Sequence, residues 1–100
     1  MQIKIVMNWN IRPNKEAEYS EFVVNEFIPR LTRIGLDNLE FWYTRYGEAS
    51  QIQASGIANS MDEMNTITSS EEWESLQDML TGYVKDYRQK LIKATSSFQI

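Results

Sequence analysis

The 100-residue chain contains no cysteine and no histidine. Without thiols it can form no disulfide, thiolate nucleophile, iron–sulfur cluster or thiolate zinc site. Without imidazole it also lacks the commonest general base, transition-metal ligand and haem ligand. Any chemistry falls to carboxylates, Lys, Arg, Tyr, Ser/Thr or Asn, or to a bound substrate that reacts largely by itself. No apolar run approaches the ~20 residues that span a bilayer. Met1-Gln2-Ile3-Lys4 leads directly into a strand pattern rather than the apolar core of a signal peptide, so a cytoplasmic protein is expected. The net charge of −4 gives no electrostatic footprint for nucleic acid or an anionic membrane, and neither is expected as a partner.

What is present is ordinary globular material. Hydrophobic residues are 42%, charged residues 24% and aromatics 12%, which argues against disorder. The length fits one domain over residues 1–100, near the lower end of what supports its own core. No linker, low-complexity tract or internal repeat interrupts it.

The chain is organised around a helix expected between Pro13 and Ile34. Val24, Phe27, Ile28, Leu31 and Ile34 recur at three- and four-residue steps, and Ala17 and Tyr19 to Val23 widen the stripe one turn earlier. Asn14 is the expected N-cap; Glu16 and Glu18 in the first turn and Arg30 and Arg33 in the last complement the dipole, and Gly35 supplies the stop. Pro29 cannot donate to the Asn25 carbonyl, so a kink, or a break into two pieces, is expected there.

Before it, Gln2 to Ile11 alternate. Ile3, Ile5, Met7, Trp9 and Ile11 face the helix and Lys4, Val6, Asn8 and Asn10 face away. After Gly35, Leu39 to Tyr46 read as a strand with Leu39, Phe41 and Tyr43 on one face and Glu40, Trp42, Thr44 and Tyr46 on the other. A Gly47–Ser50 turn leads to a strand over Gln51 to Asn59, whose core face, Ile52, Ala54, Gly56 and Ala58, is mostly small. Those small residues admit a close helix or leave room for a ligand. Ser60 with Glu63, and Ser69 with Glu72, show capping-box spacing. The second opens a long helix carrying Trp73, Leu76, Leu80, Val84, Tyr87 and Leu91 at helical spacing, with Gly82 inside it. Ala94 to Ile100 is expected as the closing strand.

Strand, helix, strand, strand, helix, strand is the ferredoxin-like βαββαβ order, an α+β fold with a four-stranded antiparallel sheet and its helices on one face. The helix-free face would then expose Val6, Trp42, Tyr46 and Ile57, a surface too apolar for a monomer, and self-association through it is expected.

Several features carry a resemblance: the first strand running into Arg12-Pro13, a helix with a proline in its later part, the Gly35 stop, and Ser70-Glu71-Glu72-Trp73 opening the second long helix. On these and on element order over nearly the whole chain, the sequence resembles the dimeric α+β barrel superfamily, in particular its NIPSNAP-like and antibiotic-biosynthesis-monooxygenase-like branches. The resemblance implies a homodimer paired sheet against sheet, with ligands held between helices and sheet. It also implies, for some members, oxidation of planar aromatic or quinone-type substrates without metal or flavin. On that reading the ligand-binding candidates are Asn8, Tyr43, Arg45, Trp73 and Tyr83, with Arg45 or Arg12 stabilising an anion, and no cofactor is needed. Other members degrade haem with an Asn, a Trp and a His. Asn8 or Asn10 and Trp73 match the first two, but no histidine is present.

Two readings follow. One is a cofactor-independent monooxygenase-like enzyme acting on a small aromatic ligand. The other is a non-catalytic dimeric binding or assembly domain. A pocket lined by Tyr, Trp and Arg favours the first; a cleft filled by Phe27, Leu31 and Leu80 favours the second.

Overall fold

Alternation along the first strand decides where the core lies. In the computed structural model, which describes the backbone of residues 1–46 and 49–94 and the side chains of 1–44 and 51–94, β1 (Ile3–Ile11) buries every odd residue. The chain continues through α1 (Glu16–Phe22), a π-helical turn (Val23–Phe27), α2 (Ile28–Arg33), β2 (Asp37–Tyr46), β3 (Ala49–Ala58), α3 (Met61–Thr68), α4 (Glu71–Leu80) and β4 (Val84–Lys93). All pairings are antiparallel in the order β2-β3-β1-β4, the ferredoxin-like arrangement expected from element order. Among the described residues no helix is long and apolar enough to cross a membrane.

The first helical arm stays continuous past Pro29 because it changes pitch. In the π turn the Ile28 N–H reaches the Val23 carbonyl, one residue further back than in an α-helix, and Pro29 then starts α2 where its missing N–H matters least. The wider turn shifts the buried stripe. Tyr19, Val23, Phe27 and Leu31, every fourth residue, point inward together with Phe22, while Val24, expected in the stripe, is 65% exposed. Nor is Asn14 the N-cap: it sits in the left-handed region at φ 66°, and Lys15 opens the helix without a side-chain cap.

The second half departs further from expectation. Ser60 caps α3 as expected, its Oγ accepting from Glu63 N–H, but α4 is capped by Ser70, which accepts from Trp73 N–H, rather than by Ser69. The long helix stops at Leu80. Gly82 N–H bonds to Met79 O and Tyr83 N–H to Leu80 O, tightening the last turn, and Arg12 donates from Nε and Nη2 to Thr81 O. Residues 84–93 form the last strand, so Val84, Tyr87 and Leu91 belong to a sheet and not to a helix. The deception has a geometric cause. Ile11 pairs Val84 and Asn10 pairs Lys85, but Asn8 pairs Arg88, so Asp86 and Tyr87 share the place opposite Trp9 in a β-bulge, with Asp86 at φ 59°. The extra residue turns the strand's period of two into steps of three and four. Of the closing strand expected over 94–100, Ala94 lies beyond β4, and residues 95–100 lie outside the described part.

The core between sheet and helices centres on Trp9, Phe27, Leu31, Leu36, Met64, Leu76 and Leu80, each at most 1% exposed.

Candidate functional site

The expected ligand cleft, between helices and sheet, is filled. Trp9 occupies its middle, stacked on Tyr87 at 6.0 Å and edge-on to Tyr19, Phe27 and Phe41, and its Nε1–H donates to Tyr19 Oη at 3.1 Å. Burial pushes the Tyr19 phenol up to about 12, with the Trp9 hydrogen bond pulling the other way, and burial also raises the Tyr87 phenol. Both stay neutral donors at physiological pH. The small residues of β3 make room for neighbours rather than for a ligand: a Cβ on Gly56 would lie 2.8 Å from Leu39 Cδ2 and 3.4 Å from Leu36 Cβ. Phe27, Leu31 and Leu80 are wholly buried.

The four ligand candidates whose side chains are described are not brought together. Trp73 is 6% exposed and belongs to the core. Tyr83 packs against Phe22 at the rim, with ring centroids 5.3 Å apart. Tyr43 shares the core side of β2 with Phe41, but at the sheet edge, and is 56% exposed. Asn8 lies on the opposite face of the sheet, since its neighbour Trp9 points into the core. The Arg45 side chain lies outside the described part. Arg12, the other candidate anion stabiliser, spends its guanidinium on the end of α4, donating to Thr81 O over 3.3 Å bonds.

The helix-free face is more varied than alternation suggested. Register places Lys4, Val6, Asn8 and Asn10 of β1 beside Ile57, Ser55, Gln53 and Gln51 of β3, then Glu40, Trp42 and Thr44 of β2. Of the four interface candidates, Trp42 is 61% exposed and Ile57 is half-buried. Val6, expected to be exposed, is already buried within the chain, and the Tyr46 side chain lies outside the described part. On the other flank Arg88 and Lys90 of β4 join Asn8 and Val6 around a shallow hollow of about 320 Å³. Both cations lie in the segment whose apolar spacing predicts a helix, and the Thr81-Gly82 break ahead of the basic run is the signal that marks it as a strand.

The charges on the helices have structural work. Arg30 grips Glu72 with two hydrogen bonds, Nε at 2.7 Å and Nη2 at 3.1 Å, Arg33 adds a third at 3.0 Å, and Arg30 Nη1 also reaches Glu26 at 3.1 Å. The Arg30 hydrogen bonds, with help from Arg33, hold the Glu72 carboxyl down at about 2. Among the described residues no acidic group of three or more is disposed to hold a metal ion.

Four antiparallel strands in this order, with helices on one side, define a ferredoxin-like α+β fold. Three solved structures give the particular resemblance. A variant of SnoaB, a cofactor-independent oxygenase from Streptomyces nogalater, superposes with a TM-score of 0.79 at 12% identity, over 99% of this chain and 98% of that one. A NIPSNAP family protein from Agrobacterium tumefaciens gives 0.69 at 19% identity, over 98% and 96%. A putative antibiotic biosynthesis monooxygenase from Nitrosomonas europaea gives 0.73 at 4% identity, over 96% and 92%. No protein-family model and no curated protein matches the sequence. At these identities the similarity establishes the fold.

Proposed function

We propose that this protein is a homodimeric small-molecule-binding domain that pairs through the helix-free face of its sheet. The observation that carries the reading is Trp42, 61% exposed on an otherwise extended sheet face with Ile57 in the neighbouring strand. A large ring left in water on a flat sheet is a ready anchor for a second copy. The ligand site is then sought on or between the paired sheets, because the interior of the single chain is occupied by its own side chains.

Native mass spectrometry tests the pairing and reports any retained molecule in one spectrum. The expected species is twice the chain mass. Trp42→Glu sets two like charges across the two-fold and should weaken the dimer by roughly a hundredfold, about 2.7 kcal/mol. A wild-type monomer would sink the reading.

A second reading is favoured by the SnoaB resemblance. The chain is then a cofactor-independent oxygenase acting on a planar aromatic or quinone-type substrate whose own electrons reduce dioxygen. Oxygen uptake with a hydroquinone, compared with and without protein, checks it; equal rates leave the binding domain.

A further inference from the structure

β4 is a basic strand in an acidic protein. It carries Lys85, Arg88, Lys90 and Lys93, four of the ten Lys and Arg residues, and its one acid, Asp86, is engaged by the Asn10 side-chain amide at 3.0 Å. Acids outnumber bases fourteen to ten. Even so, Arg88 and Lys90 pair with no carboxylate among the described residues, whereas Lys15, Arg30 and Arg33 all do. Asp86 therefore offsets only part of the charge along this edge, leaving β4 with three more bases than acids.

The bulge decides which way these cations point. Were pairing to continue in step from Asn10 opposite Lys85, Arg88 would fall opposite Met7 and Lys90 opposite Ile5, toward the helices. The extra residue moves Arg88 opposite Asn8 and Lys90 opposite Val6, on the open face. It does so by holding a non-glycine residue, Asp86, at φ 59°. The result is the hollow of about 320 Å³ lined by Val6, Asn8, Arg88, Gln89 and Lys90, with no carboxylate in its lining. Val6, 7% exposed, forms an apolar floor; a guanidinium, an ammonium and an amide surround it. Its volume is at the lower end of ligand sites, about 300 to 1,000 Å³.

We propose that this hollow binds the oxyanion of a small organic acid or a phosphate. Arg88 presents paired N–H donors that match two oxygens of a carboxylate or phosphate, Lys90 adds a second positive charge, and Asn8 adds a neutral donor. Val6 offers contact to an apolar remainder, which favours an organic carboxylate over inorganic phosphate. All five lining residues belong to one chain, and because the hollow lies on the face used for the pairing proposed above, the site rests on a pairing that leaves the β4 edge open.

The test uses the full chain labelled with nitrogen-15, titrated at constant ionic strength with sodium benzoate and, separately, with inorganic phosphate. Saturable shifts at the amides of Val6, Asn8, Arg88 and Lys90 are expected. The tighter probe tells an organic acid from a phosphate, and either supports the site. Arg88→Gln with Lys90→Gln should weaken binding by about tenfold or more, Asn8→Ala by less, and Lys15→Gln not at all, with folding of each variant checked by its amide spectrum. Shifts that stay linear with both probes, or that persist unchanged in the double variant, overturn the proposal. Native mass spectra of the same samples separate it from the pairing. A monomer that binds benzoate sinks the pairing alone. A dimer that binds neither probe, and dissociates when Arg88 and Lys90 are neutralised, shows those cations facing a partner's carboxylates and overturns the site alone.

Discussion

Trp9 shows how much one side chain can settle. Its ring fills the space a ligand would need, and its one polar atom is satisfied by Tyr19 Oη at 3.1 Å in a region closed to water. Tyr19→Phe keeps the ring but leaves a buried indole N–H without a partner, so a loss of about 1 to 3 kcal/mol is expected in urea unfolding at neutral pH. A loss near zero would mean that water or another acceptor reaches the indole. The phenol itself gives a second readout. Its folded value, about 12, lies above the ordinary 10.0, so its contribution is complete below pH 10 and fades as pH rises toward 12. The stability gap between wild type and Tyr19→Phe should therefore narrow over that alkaline range.

Between elements, the strongest polar tie joins α2 to the first turn of α4 through Arg30, Arg33 and Glu72. Glu72 also sits where a helix N-terminus favours a negative charge. Its folded value of about 2 lies below the ordinary 4.5, so the stabilisation is present above pH 4.5 and is lost as pH falls toward 2. Glu72→Gln should lower the melting temperature at neutral pH, and the difference from wild type should close between about pH 4.5 and 2. A gap that persists at pH 2 would assign the effect to packing instead. The π turn and the bulge at Asp86 belong to this scale as well: each inserts one residue into a regular ladder and so rotates everything beyond it onto a different face.

At the scale of the whole molecule, charge is sorted by layer. Glu and Asp crowd the helices, while Arg88 and Lys90 stand on the open side of the sheet, beside the half of the face that carries Trp42. A protein that folds and pairs in one transition melts higher at higher concentration, because association draws on the folded state alone. The melting temperature of the wild type should rise with protein concentration, and that of Trp42→Glu should lie lower at each concentration. A concentration-independent wild type would place the stability entirely within one chain.

Element order, the inward faces of β1 and β3, and the Ser60 cap were all legible in the sequence, because local periodicity and capping spacing express them directly. So was the fold class, which four strands and two helical segments in that order permit with few alternatives. The end of the second helix was not legible, since a bulged strand reproduces helical spacing at Val84, Tyr87 and Leu91 and only pairing with β1 tells the two apart. The outward turn of Val24 depended on a pitch change that Pro29 hinted at without specifying. The site followed the same division. Composition by itself excluded thiol and imidazole chemistry, but whether the small residues of β3 enclosed a cavity was a question of volume, answered by where Leu36 and Leu39 pack. That Arg88, Lys90 and Asn8 share one face was decided by strand register, a relation between segments eighty residues apart that no local pattern encodes.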